Sequence, residues 1–337
     1  MSSKLISLIN DLAKARVLVI GDLMLDHYIW GDVYRISPEA PVPVVNVNHE
    51  SYTAGGAANV ALNLVNLGVT TTVLGYYAQD EAGRQLFNIL SHRGITVLNP
   101  KISYDASTII KTRVIVRNQQ LCRIDRENAR DVYGIDTTPD FESVINYALE
   151  NVDAVILSDY AKGIITQPLV DYVMNYSRFH PKLLVAIDPK PSRHLSYNNV
   201  SLLTPNRSEA LELAGMQNLQ PGTEYPLEEI CKRIYKMYKP QLLIVTMGAG
   251  GMAISRSGRV IKRLPTEARE VFDVSGAGDT VIATLTAALT VGATPANATQ
   301  LANAAAGCVV GHMGTAPIIK EELQHWLENV NESIRIS

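Results

Sequence analysis

Cysteine is scarce in this chain of 337 residues: Cys122, Cys231 and Cys308 lie far apart, odd in number and without C-x-x-C spacing. A disulfide framework and a thiolate zinc site are therefore excluded, and a reducing, cytoplasmic setting is expected. Excess charge is missing as well. The formal net charge is −3, which offers no footprint for nucleic acid or an anionic membrane, so an anionic ligand must be held by a local cluster of cations. None of the seven histidines has metal-ligand spacing. Long apolar runs are absent: the least polar stretch, Val281 to Gly311, is broken by Gly292, Pro295, Asn297 and Gln300 and reads as two buried helices. The first 16 residues have an amphipathic helical pattern interrupted by Asp11 and Lys14, which is not a signal peptide. Two nucleotide motifs are also lacking. The first apolar run, Val17 to Gly21, is not followed by G-x-G-x-x-G, and Gly248, Gly250 and Gly251 are not followed by Lys-Ser/Thr as in a P-loop.

What is present is an ordinary globular composition, 47% hydrophobic and 19% charged, and one stretch of unusual chemistry. Asp273-Val-Ser-Gly-Ala-Gly-Asp-Thr280 runs directly into an apolar segment with helical spacing. The amides of Gly276, Ala277 and Gly278 should lie at a helix N-terminus, where unpaired N–H groups and the helix dipole attract anions. Asp279 in the same turn is a poor phosphate ligand, and its expected use is to take a proton from whatever attacks phosphorus. The stretch reads as a phosphotransfer centre.

Along the chain, short apolar runs alternate with helix-like stretches. Val17–Gly21, Ala154–Leu157, Leu183–Ile187, Ser201–Thr204 and Leu242–Thr246 read as buried strands, and such alternation predicts a parallel sheet covered on both faces. Two segments depart from it. Residues 41–52 alternate valine with polar residues and carry Pro41 and Pro43, the pattern of an edge strand. Thr108–Arg117 has period two, with Ile110, Val114 and Val116 on one face and Lys111, Arg113 and Arg117 on the other, and Asn118-Gln119-Gln120 is expected to turn it into a hairpin. No linker or repeat divides the chain. The expected fold is one α/β domain, residues 1–337, with a doubly wound, mostly parallel sheet and a small β-sheet excursion from about 30–54 and 105–127. The polar strand ends, Ser158-Asp159, Asp188, Asn206 to Glu209 and Thr246, should converge on one edge of the sheet.

D-x-x-G-A-G-D-T, paired with Gly55-Gly-Ala-Ala-Asn59, resembles the ribokinase-like (PfkB-type) carbohydrate kinases over nearly the whole chain. Residues 35–43, 117–121 and Leu157-Ser-Asp-Tyr-Ala-Lys-Gly163 resemble more narrowly the bacterial D-glycero-β-D-manno-heptose-7-phosphate kinases of lipopolysaccharide-core synthesis. The resemblance implies ATP and Mg²⁺, a small sheet that serves as a lid over the sugar and often as a homodimer clasp, and sugar contacts from Asp22, Gly55, Gly56 and Asn59. It places Asn206 and Glu209 around the Mg²⁺–phosphates, Thr246, Gly248 and Gly251 near the nucleotide, and Asn303 on the adenine side. Asp273, with the loop 311–315, would enclose a monovalent cation such as K⁺. For Asp22 a turn after a strand is an equal alternative, and for Asn206 and Glu209 a helix cap. Lys111, Arg113 and Arg117 gather three cations under the lid and are expected to include the contact to a sugar phosphate. No H-x-G-H motif of the nucleotidyltransferase domain fused to some heptose kinases is found, so only the kinase step is expected. Two other functions share these residues: a kinase for another sugar or a nucleoside, and a catalytically silent sugar-binding regulator.

Overall fold

The computed structural model describes residues 2–102, 104–117, 119–217, 219–220, 222–267, 274–312 and 314–335. In chain order its strands are β1 (Arg16–Gly21), β2 (Leu23–Ile36), β3 (Pro43–Gly56), β4 (Thr70–Leu74), β5 (Thr96–Leu98), β6 (Ile109–Val116), β7 (Gln119–Arg126), β8 (Ala154–Ser158), β9 (Leu184–Asp188), β10 (Leu202–Leu203), β11 (Leu242–Thr246), β12 (Met252–Arg256) and β13 (Arg259–Leu264). Nine of them form one sheet in the order β13-β12-β11-β10-β9-β8-β1-β4-β5, and four form a second in the order β3-β2-β6-β7.

The large sheet is parallel from β11 to β5 and ends in the antiparallel β12–β13 hairpin. Its central strands are runs of Val, Ile and Leu because both faces are covered, which removes any pressure for polar alternation. Successive residues feed two cores. Val17 and Val19 pack with the helices Ala57–Asn66, Ala277–Thr290 and Pro295–Val309, while Leu18 and Ile20 face the opposite layer, which contains Phe141–Leu149, Gln167–Phe179 and Leu227–Tyr238. Each such side chain taken fully out of water contributes about 1.5–3 kcal/mol. The expected α/β architecture with helices on both faces is what the chain adopts, and Val281–Gly311 is indeed two helices. Among the described residues no helix is long and apolar enough to cross a membrane.

From β1 the chain goes out through β2 and β3 and builds β4 and β5 on one side; β8 then lies on the other side of β1. Strand order therefore reverses between β1 and β8, and in open α/β sheets ligands bind beyond the strand C-termini at such a reversal.

The small sheet contains the expected edge strand, β3, which begins at Pro43 where no ladder donor is needed. Three details differ from expectation. Its longest member with β3, the 14-residue β2, starts at Leu23 after a single intervening residue and pairs antiparallel with β3 and parallel with β6. The hairpin turns at Arg117, with φ 49°, so Gln119 and Gln120 belong to β7 rather than to the turn. The register slips at Val114/Ile115, and such a bulge breaks strict alternation: Ile115 is buried although it shares the odd-numbered set with Lys111 and Arg113.

Candidate active site

Beyond the reversal point lies a cavity of about 230 Å³ whose walls include Asp26, Gly56, Lys111, Arg113, Tyr160, Asp188, Asn206, Glu209, Thr246, Gly276, Gly278 and Asp279. One wall is the start of the helix Ala277–Thr290, whose N-cap is Gly276 with φ 80°. Only glycine suits this position on two counts: the backbone is left-handed, and a Cβ would stand 2.8 Å from Thr315 Cγ2 and 2.9 Å from Asn59 Nδ2. The Ala277 amide is used by the Val274 carbonyl, 3.3 Å away. Gly278 and Asp279 thus supply the first-turn N–H groups beside the cavity, where the positive end of the helix dipole favours an anion.

Asp279 is 5% exposed. Asn59 Nδ2 donates to its Oδ2 at 2.7 Å, and the Tyr160 hydroxyl hydrogen-bonds its Oδ1. Burial pushes the carboxyl up to about 6; the Tyr160 and Asn59 bonds oppose the rise, and nearby Asp26 adds to it. Asn59 is wholly buried behind the carboxylate, and its own carbonyl oxygen accepts from Asn63 Nδ2 at 2.8 Å. It touches the base rather than the cavity, which corrects its expected place among the sugar contacts.

Asp22 is corrected more fully. Its Oδ2 accepts the amides of Tyr160 and Lys162, both at 3.0 Å, and its Oδ1 accepts that of Ile164 at 2.9 Å. This completely buried carboxylate brackets the loop after β8, so the turn alternative describes it. Burial holds its carboxyl above the usual range despite the three amides. Neighbouring Asp159, buried next to Asp22, is pushed up to about 7. Gly55 backs onto Asp26, whose Oδ2 a Cβ would approach to 2.6 Å, and Gly56 lines the cavity.

The lid side is a bonded network. Arg113 Nη1 donates to Asp26 Oδ1 at 2.6 Å and its guanidinium lies 5.3 Å from the Tyr28 ring centroid. Thr315 Oγ1 donates to Asp26 Oδ2 at 2.9 Å and accepts from the Tyr28 hydroxyl at 2.8 Å. Arg113 is therefore engaged by a carboxylate already. Lys111 lies with Nζ 5.7 Å from the Tyr160 ring centroid, and burial holds its ammonium below the usual range, partly offset by Asp26. Arg117 sits exposed at the hairpin turn and does not reach the cavity, because the bulge ends the alternation that would have aligned it with Lys111.

On the opposite wall the strand ends converge as expected. Asn206 and Glu209 form a reciprocal cap, Asn206 Oδ1 accepting from the Glu209 amide and Glu209 Oε2 from the Asn206 amide, each at 3.0 Å. The cap alternative is real, yet both residues also line the cavity. Lys190 Nζ stands 3.1 Å from Glu209 Oε1. Asp188, at the end of β9, has its carboxyl raised well above the ordinary range by burial and then by Glu209 and Asp279. Thr246 lines the same wall, joined to Asn206 by a parallel bridge. Three expected nucleotide residues lie outside the walls of this cavity. Gly248 opens a short turn outside the cavity walls. Gly251 is buried where a Cβ would come 2.0 Å from the Leu264 carbonyl oxygen, a packing requirement of the β12–β13 hairpin. Asn303 Nδ2 donates to the Pro265 carbonyl at 2.7 Å and is buried. Asp273 lies outside the described residues, so its expected cation site has no geometry.

Asp26, Tyr160, Asp188 and Thr315 were given no individual role by sequence reasoning. Asp188 and Tyr160 did carry a signal, since each follows a buried parallel strand at the edge where such ends meet. Thr315 was noted only as part of the loop 311–315, and Asp26 carried no signal, because its partners Arg113 and Thr315 are distant in sequence.

The fold is that of the ribokinases. Ribokinase from Thermotoga maritima superposes with a TM-score of 0.69 over 94% of this chain and 100% of that one at 18% identity. Phosphofructokinase-2 from Escherichia coli, solved with substrates and products, gives 0.74 over 94% and 99% at 17%. The architecture is therefore the ribokinase-like α/β fold. The chain belongs to the pfkB carbohydrate kinase family, whose model matches residues 14–322. "Bifunctional protein HldE" of Magnetococcus marinus is 41% identical over 318 residues, which cover 92% of this chain and 63% of that protein. The chain thus spans less than two thirds of that relative's length.

Proposed function

We propose that this sugar kinase transfers the γ-phosphoryl group of ATP to the anomeric hydroxyl of D-glycero-β-D-manno-heptose 7-phosphate, giving the 1,7-bisphosphate, as the kinase step of cytoplasmic ADP-heptose synthesis for lipopolysaccharide core. The observation that carries the chemistry is a buried carboxylate, Asp279, in the first turn of a helix whose starting residues Gly276 and Gly278 line the same cavity. Resemblance of residues 35–43, 117–121 and 157–163 to heptose-7-phosphate kinases, together with the similarity to HldE, supports the choice of sugar.

Asp279 accepts the proton of the anomeric hydroxyl as its oxygen bonds to the γ-phosphorus and ADP departs. A carboxyl near 6 is ionised at neutral pH, and an anomeric hydroxyl is more acidic than a simple alcohol, so a stronger base is not needed in a loose transition state. The amides of Gly276 and Gly278, which line the cavity, take the charge on the transferring group, while that of Ala277 is engaged by Val274; one such donor is worth about 3 kcal/mol. Mg²⁺ fits the opposite wall: Asp188, Glu209 and Asn206 present hard oxygen donors, and the crowding that raises Asp188 is relieved by positive charge. When bound, Mg²⁺ neutralises phosphate charge. K⁺ near Asp273 belongs to the same reading. Lys111 is the cavity cation best placed for the C7 phosphate, since Arg113 is held by Asp26.

A homodimer through the lid fits the outer face of the small sheet. There Ile29, Val42, Pro43, Val45, Val47, Val114, Leu121 and Cys122 line an apolar hollow of about 470 Å³, with Val42 and Val47 each about half exposed. The test is ADP release with heptose 7-phosphate, unphosphorylated heptose, fructose 6-phosphate and ribose. Turnover strongly favouring heptose 7-phosphate is expected, and equal or better turnover with ribose overturns the assignment.

A further inference from the structure

We infer that the Tyr160 hydroxyl is a stand-in for the acceptor alcohol: with no sugar bound it occupies the cavity side of Asp279 and keeps water off the base until the substrate displaces it. The inference rests on Asp279 being the base. A kinase with its base exposed to water beside bound ATP would hydrolyse the nucleotide. In that side reaction a water oxygen bonds to the γ-phosphorus, the bond to the ADP oxygen breaks with its electron pair going to ADP, and the water proton passes to Asp279.

The two groups bonded to Asp279 sit on different sides of it. Asn59 is completely buried and absent from the cavity wall, whereas Tyr160 lines the cavity and engages the other carboxylate oxygen. Its phenol is held protonated by burial and by the neighbouring Asp279, so it meets the carboxylate as a donor, which is the role a sugar hydroxyl must take before transfer. The same oxygen cannot serve both in the same direction.

Backbone movement is not available to clear the way. Asp22 accepts the amides of Tyr160, Lys162 and Ile164, and Ala161 and Gly163 hold φ of 58° and 130°, so the loop has one well-determined path. The side chain must rotate instead. Its ring is held on one face by the Lys111 ammonium, 5.7 Å from the centroid. An anionic group on the incoming sugar that draws Lys111 away removes that contact, so binding of a phosphorylated acceptor frees Tyr160 at the moment its own hydroxyl needs Asp279. An unphosphorylated sugar lacks this lever.

Tyr160 is on this account a positioning residue, and Tyr160→Phe tests it because the ring and its packing are kept. ATP hydrolysis without sugar, read as phosphate release, should rise about tenfold or more, the factor that corresponds to one charge-assisted hydrogen bond. KM for the sugar should fall or stay level, since a competitor for Asp279 has been removed. Adding Asp279→Asn to Tyr160→Phe should abolish the hydrolysis. Sugar-independent hydrolysis that stays at the wild-type level in Tyr160→Phe overturns the inference, as does a loss of kcat without any rise in hydrolysis, which would mark a purely structural contact. The underlying assignment fails separately: Asp279→Asn alone that still phosphorylates sugar removes the base, whatever Tyr160 does.

Discussion

Replacing Asp279 by asparagine should make the protein more stable and nearly inactive, and the two effects should have different pH dependences. The carboxyl is raised from an ordinary 3.8 to about 6 because burial disfavours the ion. At about 1.4 kcal/mol per pKa unit, keeping it ionised at neutral pH costs about 3 kcal/mol. A group with a raised folded-state value gives its full stabilisation below its unfolded value, near pH 4, and loses it as pH rises through about 6. Asp279→Asn removes that loss. At pH 7.5 its denaturation midpoint should therefore move upward at unchanged slope by up to about 3 kcal/mol, and the advantage over wild type should vanish below about pH 4. Turnover should drop by at least about 100-fold, since the amide keeps the shape and removes the basicity. In the wild type, kcat/KM should fall on the acid side of about pH 6 as the carboxyl is protonated. Urea titrations at two pH values and initial rates from pH 5 to 8 check all of this. A variant that keeps near-normal turnover, or is less stable than wild type at pH 7.5, refutes the reasoning.

Lys111→Ala should raise KM for the phosphorylated sugar by about tenfold or more and leave KM for ATP nearly unchanged, because a charged hydrogen bond is worth about 1.5–3 kcal/mol; Arg117→Ala, at the exposed turn, should change neither. Sedimentation at micromolar protein should show a dimer, and Val47→Asp in the apolar lid face should yield monomers; a monomeric wild type counts against the lid interface.

The large sheet was legible because its central strands are buried on both faces and so appear as unbroken apolar runs punctuated by helices. Asp279 and its glycines were legible for a related reason: local chain geometry and helix-end electrostatics are encoded within eight residues. The small sheet was only half visible. β2 follows β1 after one residue and mixes Asp, His and Gly into an apolar background, because Met24 and Asp26 line the cavity while Ile29 lines the apolar hollow of the small sheet. The expected ligands that the structure finds outside the cavity walls share one feature. Asp22, Asn59 and Asn303 satisfy partners 38 to 220 positions away and Gly251 relieves a backbone contact, and nothing in a local pattern distinguishes such a support from a ligand. Arg117 was misplaced by the bulge at Val114/Ile115, which one-strand periodicity does not reveal.

The central claim is the identity of the acceptor atom, and phosphorus NMR of the product tests it most directly. With ATP, Mg²⁺ and D-glycero-β-D-manno-heptose 7-phosphate, the account predicts a second phosphomonoester resonance coupled to the anomeric proton, with the C7 phosphate signal retained. A new phosphate coupled to any other ring proton, or ADP formed with no change in the sugar's spectrum, would contradict it.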